Sequence, residues 1–191
     1  MAAVIECQPE HTLSIAAGLR DSGTFIDVVP AERSVFVSSA LPISSSNLVE
    51  LAQFHAHTLE VSNPRVVEIP VHYDGEDLDE VAALTGMSRS AVIELHTSTL
   101  FTAAFAGFAP GFMYCTGLPT QLQLPRRTNP RVSVPSGSVA IADIYSAVYP
   151  LSSPGGWHLI GRTDVEMFDI NRDPASFLQP GDSVKYVQVP S

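Results

Sequence analysis

Charge, lysine and cysteine are all scarce in this chain of 191 residues. Charged residues make up 16%, and Lys185 is the single lysine among ten basic residues. Twenty acids leave a net charge of −10. Counterion release on a phosphate backbone needs clustered cations, so this balance argues against nucleic acid and anionic membranes as partners. Two cysteines, Cys7 and Cys115, supply neither a disulfide framework nor a zinc set. The N-terminus lacks a basic region followed by an apolar core, and no apolar run reaches the roughly 18 residues of a membrane span. The expected setting is the cytoplasm. No G-x-x-x-x-G-K-[ST] loop exists, and Lys185 follows no glycine run, so a nucleotide would not be held here through a Walker motif. A Ser-Ser-Lys amidase apparatus fails too, because the one lysine has no matching serine-rich loop.

What remains is a packed globular chain, 45% hydrophobic, of a size for one domain or two small ones. Residues 1–65 read as a small α/β domain. His11 to Arg20 forms a short helix ended by Asp21-Ser22-Gly23, with Gly23 suited to a left-handed position. Phe25 to Val29 and Ser34 to Ser38 read as strands about a turn at Pro30-Ala31-Glu32. Ser46 caps a second helix that places Leu48, Leu51, Ala52, His55 and Leu59 on one face, and Asn63-Pro64 stops it. Helices alternating with short strands suggest a ferredoxin-like sandwich.

Residues 66–191 open on a strand, Val66 to Val71, followed by a helical hairpin at 77–96. Asp77 caps its first helix, Gly86 turns the chain and Ser88 caps the second. From Thr99 onward short apolar stretches alternate with proline and glycine: Leu100 to Phe105, Ser138 to Ile141, Trp157 to Thr163 and Val184 to Val189. That texture points to a closed barrel or sandwich, so the whole chain is α+β.

Three patterns invite a chemical reading that their composition does not support. The segment Leu78 to His96 has the outline of a helix-turn-helix, but its second helix carries only Arg89 and Glu94 as charges. Glu76, Asp77, Asp79 and Glu80 on the approach would repel DNA, so the hairpin is read as packing. His55 and His57 stand two apart on a helix and cannot share an ion. His11, His72, His96 and His158 lack ligand spacing, and no metal site is expected. Cys115, in an apolar context beside Tyr114, reads as a buried thiol.

The informative region runs from Phe105 to Asp182. It holds Gly107-Phe108-Ala109-Pro110-Gly111-Phe112, Pro125-Arg126-Arg127, Asn129-Pro130-Arg131 and Val134-Pro135-Ser136-Gly137-Ser138-Val139-Ala140-Ile141. Tyr149-Pro150, Ser153-Pro154-Gly155-Gly156-Trp157 and Leu159-Ile160-Gly161-Arg162-Thr163 follow. Glycine beside proline fixes unusual backbone angles and lets a ligand or second chain come close to the main chain. Arg126, Arg127 and Arg131 lie within six positions of one another. Planar guanidinium groups grip carboxylates and phosphates in pairs, so a local anion site is one reading. Pairing with acids of this chain or of a partner is the other, and both stay open.

This train of segments, from Gly107 through Tyr186, resembles the KipI / allophanate hydrolase subunit 1 / 5-oxoprolinase B-subunit family. The resemblance implies a cyclophilin-like β-barrel domain over 66–191 behind the ferredoxin-like domain of 1–65. It implies a non-autonomous subunit of a heteromeric amidohydrolase that acts with ATP on a cyclic or urea-like amide. The partner would be subunit 2, of the 5-oxoprolinase C-subunit type, and ATP would be bound by the complex rather than by this chain alone. A regulatory protein inhibiting a sensor histidine kinase, as in the KipI branch, is the alternative. Substrate-binding candidates are Phe108, Pro110, Gly111, Arg126, Arg127, Arg131, Pro135, Ser138, Ser153, Gly155, Gly156, Trp157, Arg162 and Thr163; no catalytic residue is assigned. Two departures from the pattern stand out. Asp143 to Val148 replaces a Gly-Gly-Gln-Thr-Gly-type run, which fills space and adds an acid, and Met113 stands where proline is usual.

Overall fold

Alternating exposure along Ala2–Glu6 makes the first strand, β1, whose Ala3 and Ile5 turn toward a small core. The computed structural model describes residues 1–42, 44–58 and 64–190, the side chains at 57 and 58 excepted. The expectations for Leu59, for Asn63 and for the His57 side chain fall outside the described residues. The chain divides into two compact units, Met1–Pro64 and Arg65–Ser191.

In the first unit β1 is followed by α1 (Thr12–Asp21), β2 (Asp27–Pro30), β3 (Ser34–Ser38) and α2 (Ser45–Thr58). The three strands form an antiparallel sheet in the order β1-β3-β2. Ile15, Ala16 and Leu19 of α1 pack with Val28, Val35, Val37 and Ala52. Gly23 takes φ +63° just past α1, where a side chain would be strained. Ser44, rather than the expected Ser46, caps α2: its hydroxyl accepts the Asn47 N–H at 3.2 Å, earlier in the chain than the apolar pattern suggested. The strand Val66–Val71, which could have completed a four-stranded sandwich, pairs in the second unit instead.

The second unit contains β4 (Val66–Val71), α3 (Leu78–Thr85), α4 (Arg89–Ser98), β5 (Phe101–Ala106), β6 (Met113–Thr116), β7 (Arg131–Val134), β8 (Ser138–Ala142), β9 (Tyr145–Val148), β10 (Ser153–Gly155), β11 (His158–Arg162) and β12 (Ser183–Gln188). Seven strands form one sheet in the order β11-β8-β9-β6-β5-β12-β4, with only β12 and β4 parallel. The two ends meet in an antiparallel bridge between His72 and Arg162, which exchange both backbone hydrogen bonds at 2.9 Å. The sheet therefore nearly closes into a barrel. Closure depends on Gly161, where a Cβ would sit 2.6 Å from the His72 carbonyl oxygen.

Strands β8 and β9 are buried on both faces. Val139, Ile141 and Val148 join Ile69, Phe101, Ile160, Val184 and Tyr186 in one core, to which α3 and α4 add Leu78, Val81 and Val92. Ala140, Ala142 and Ala147 face the opposite way, into a second core with Val134 of the β7–β10 ribbon. Ser88 caps α4 as its position implies, accepting the Ala91 N–H at 3.2 Å. Asp77 occupies the N-cap position of α3 but makes no side-chain cap there. Its carboxylate is engaged elsewhere.

Candidate functional site

Small residues on the second face of β8 and β9 leave room for aromatic rings. Phe112, Tyr145, Tyr149 and Trp157 fill it, with Phe105 and Tyr114 partly exposed beside them. Phe112 meets Tyr149 and Trp157 edge-on, with centroids 5.3 and 5.6 Å apart, and Phe105 stacks on Tyr114 at 4.5 Å. The Arg126 guanidinium lies 5.9 Å from the centre of the Trp157 ring. The segment that departs from the family pattern builds part of this face. Asp143 and Ile144 form the two-residue turn of the β8–β9 hairpin, with Asp143 at φ +52°, and Tyr145 packs against Phe105, Tyr114 and Trp157.

At the rim, the β5–β6 loop holds Phe108 at φ +67° while leaving it 60% exposed. An aromatic residue in left-handed backbone costs about 1–3 kcal/mol and persists only where its surroundings impose it. Here the Ala109 and Phe112 N–H groups donate to the Gly107 and Ala109 carbonyls at 2.7 and 2.9 Å. Gly111, at φ +81°, has the Phe168 Cβ 2.6 Å from where its own Cβ would be. Pro110 stands exposed at the tip.

Asp77, 3% exposed, organises the arginine-rich segment. One carboxylate oxygen accepts from Arg127 Nη1 at 2.8 Å and from Arg131 Nη2 at 2.6 Å. The other accepts the Leu159 N–H at 2.7 Å, and the Asp77 N–H donates to the Leu159 carbonyl at 2.9 Å. Glu80 adds a contact to Arg127, and Glu76 reaches Arg131 at 3.2 Å. Burial pushes the Asp77 carboxyl up, but Arg131, the Leu159 amide and Arg127 together outweigh it and hold the group below its ordinary value. Arg126 pairs with Asp143 at 3.3 Å, and Arg162 with Asp74 at 2.9 Å. Each of the four arginines singled out as a grip for a substrate anion thus has a carboxylate of its own chain.

The candidate residues separate into groups. Phe108 and Trp157 belong to the aromatic face, with Arg126 at its edge. Arg127 and Arg131 are drawn together by Asp77, and the ribbon sets Arg131 opposite Gly155. The Arg127 N–H donates to the Gly156 carbonyl at 2.7 Å. Gly155 lies against the Tyr149 hydroxyl, which occupies the space a side chain would need. The Ser153 hydroxyl is buried and has no hydrogen-bond partner. Pro135, Ser138 and Arg162 line a separate cleft of about 210 Å³ with Asp74 and Glu76. Thr163 is buried in a turn, its hydroxyl accepting the Val165 N–H at 3.2 Å.

A larger cleft, about 340 Å³, is walled by Glu80, Leu84, Arg126, Arg127, Asn129 and His158. Sequence reasoning singled out Arg126 and Arg127 and missed the other four of these residues as well as Asp77. The acids of 76–80 were legible only as a charge that repels DNA. Their complement to the arginines, about fifty positions on, was the available signal.

The interior holds a second polar chain. The Ala140 carbonyl can only accept, so the Ser146 hydroxyl donates to it at 3.4 Å and accepts from His96 Nε2–H at 3.0 Å. The Tyr73 hydroxyl then donates to His96 Nδ1 at 2.7 Å. This resembles a nucleophile and its base, but His96 and Ser146 are fully buried and no substrate reaches them. Burial lowers the His96 imidazole to about 3, so the ring is neutral. Burial also pushes the Cys115 thiol up to about 12, the inert state expected of it.

The profile of the carboxyltransferase domain, subdomains C and D, matches residues 6–178. The chain belongs to that family. This carboxyltransferase C/D chain is 41% identical to the B subunit of 5-oxoprolinase from Escherichia coli O157:H7, over 97% of its own length and 91% of the relative's. Its place in the branch of 5-oxoprolinase B subunits and allophanate hydrolase subunit 1 follows. The crystal structure of TTHA0988 superposes with a TM-score of 0.83 at 34% identity and covers all of this chain. The chain spans 41% of the length of TTHA0988. The urea carboxylase of Kluyveromyces lactis shares the fold at a TM-score of 0.65 and 15% identity, over 95% of this chain and 19% of that one. No helix among the described residues is long and apolar enough to cross a membrane.

Proposed function

We propose that this chain is a non-autonomous subunit of a cytoplasmic, ATP-dependent amidohydrolase of the 5-oxoprolinase type, acting on a cyclic or urea-like amide. It works with a subunit 2 of the 5-oxoprolinase C-subunit type. Its body is a cyclophilin-like barrel (66–191) behind a ferredoxin-like domain (1–65). The observation that carries the reading is the near full-length likeness to a protein named as the B subunit of that enzyme.

The geometry agrees with a subunit that completes a site rather than owning one. The aromatic face is rimmed by a loop that displays Phe108 in strained backbone, a feature suited to another surface. Phe108, Pro110, Arg126 and Trp157 are the residues we assign to the shared site, with Arg127 and Arg131 held behind them by Asp77. The loop and ribbon residues Gly111, Ser153, Gly155 and Gly156 support it. Pro135, Ser138 and Arg162 belong to the neighbouring cleft, and Thr163 is buried outside its lining. The residues present do not suit a triphosphate. Arg127 and Arg131 are neutralised, and acids stand at both clefts. ATP is therefore assigned to the rest of the complex.

The test is reconstitution. Purified chain mixed with subunit 2 should elute as a complex, and the assembled enzyme should open 5-oxoproline or a urea-like amide only with ATP. Absence of both complex and turnover would sink the reading.

A further inference from the structure

We infer that the outer edge of β1 is a docking surface for a second copy of this chain, whose own β1 pairs with it antiparallel across a two-fold axis beside Val4. The first unit supplies every group involved.

The order β1-β3-β2 leaves two edge strands, and they differ chemically. The edge of β2 is closed. The Ala31 N–H donates to the Ser34 carbonyl at 2.8 Å, and antiparallel pairing alternates, so Val28 and Pro30 turn their backbone groups outward. The Val28 carbonyl there already accepts from Arg20 Nη2 at 2.9 Å, and Pro30 has no N–H to offer.

The edge of β1 is open. The Cys7 N–H donates to the Arg33 carbonyl at 3.0 Å, and the Ser39 N–H to the Met1 carbonyl at 2.8 Å. The odd-numbered residues are therefore the ones bonded to β3, and Ala2, Val4 and Glu6 direct their N–H and C=O groups outward. No strand among the described residues pairs with them. Proline, lysine and bulges are the usual means of blunting an exposed edge, and β1 has none of the three. Such an edge accepts an added strand.

Three features select a second copy as that strand. The outward residues are symmetric about Val4. A two-fold axis there lets Val4 exchange both hydrogen bonds with Val4 of the second copy, while Ala2 and Glu6 meet each other at either end. The side chains agree. Val4 stands opposite Phe36, and Phe36 opposite Val29, with exposures of 63, 38 and 39%. The axis continues this apolar row through both sheets. Finally, Glu6 is the one charge on the strand. Self-pairing sets it opposite Ala2 and holds the two carboxylates about 14 Å apart, beyond the screening length of about 8 Å at physiological salt. A basic strand from another protein would find only that carboxylate to pair with.

The experiment is sedimentation velocity of the whole chain at concentrations up to about 300 μM. A single strand seam is a small interface, so a species of twice the 20.5 kDa chain mass should be half formed at about 10–100 μM. Val4→Pro removes the central N–H of the seam without touching the β1–β3 bonds, and should weaken association at least about tenfold. Val4→Lys should do the same by setting two cations face to face; its side chain is already exposed, and an unchanged thermal midpoint will show that it folds. Disulfide trapping reads the register. In a Cys7→Ser background, Val4→Cys should cross-link two copies on addition of oxidised glutathione, because a hydrogen-bonded pair has Cα atoms about 5.5 Å apart, within a disulfide's span. Val29→Cys, on the closed edge strand, should not. A monomer at every concentration overturns the proposal, as does Val4→Lys associating like wild type or Val29→Cys cross-linking as readily as Val4→Cys. A monomeric wild type whose Val4→Lys variant no longer joins subunit 2 also overturns it, and gives the edge to that subunit.

Discussion

Asp77 and His96 are buried titratable residues that couple the second unit's stability to acid. His96 stays neutral in the fold, down to about pH 3, because burial penalises the imidazolium. In the unfolded chain the same ring takes a proton near pH 6.5. Proton uptake then favours unfolding as pH falls below about 6.5, and the loss continues down to about 3. Asp77 acts lower. Its folded carboxyl lies below the ordinary value, so its contribution is complete above about pH 3.9 and lost as pH falls through the folded value. Chemical denaturation should accordingly show a midpoint that declines from pH 7 to 5 in wild type, with a flatter profile in His96→Gln. A wild-type midpoint that stays level over that interval would contradict the assignment. Asp77→Asn leaves two partly buried guanidinium groups short of a counter-charge and should cost about 3 kcal/mol at neutral pH. The apolar context of Cys115 suggested its burial, whereas for His96 the sequence left a core and a surface position equally open. The partners of Asp77 were hidden, because a residue at a helix start is ordinarily read as a cap.

Among the elements, hairpins and helices were the most legible. Strand β3 coincides with the expected run, and β5, β8, β11 and β12 differ from theirs by one or two residues. Local turn chemistry and period-two patterning suffice there. Strand β1 was overlooked, since a five-residue strand at the chain start has no turn signal before it. The seam between His72 and Arg162 was likewise invisible, because its two strands are about ninety positions apart. Gly161 makes that seam possible, and Gly161→Ala should test it. Its Cβ would be driven against the His72 carbonyl oxygen at 2.6 Å and the Val71 Cγ1 at 2.8 Å. We expect a loss of about 1–3 kcal/mol in urea unfolding with an unchanged slope. Full stability in this variant would mean that the barrel does not depend on the close approach.

At the scale of the molecule, the acidity that excluded nucleic acid also explains the arginines. With a net charge of −10, a cluster of cations finds carboxylates nearby, and the acids of the α3 approach are the ones it meets. The helix-turn-helix outline of α3 and α4 places Leu78, Val81 and Val92 in the core. Duplex DNA at physiological salt should show no mobility shift with this chain at micromolar concentration; a saturable shift would reverse that reading.

By itself the amino-acid order determined the family, the alternation of short strands with turns, and the burial of the Cys115 thiol. These are set by neighbours a few positions away and by composition. Only the folded chain decided which carboxylate faces which guanidinium, and which wall of the barrel carries the cleft. Ion pairing depends on separation in space, and Asp77 meets Arg127 and Arg131 across 50 and 54 positions along which no local pattern records the encounter.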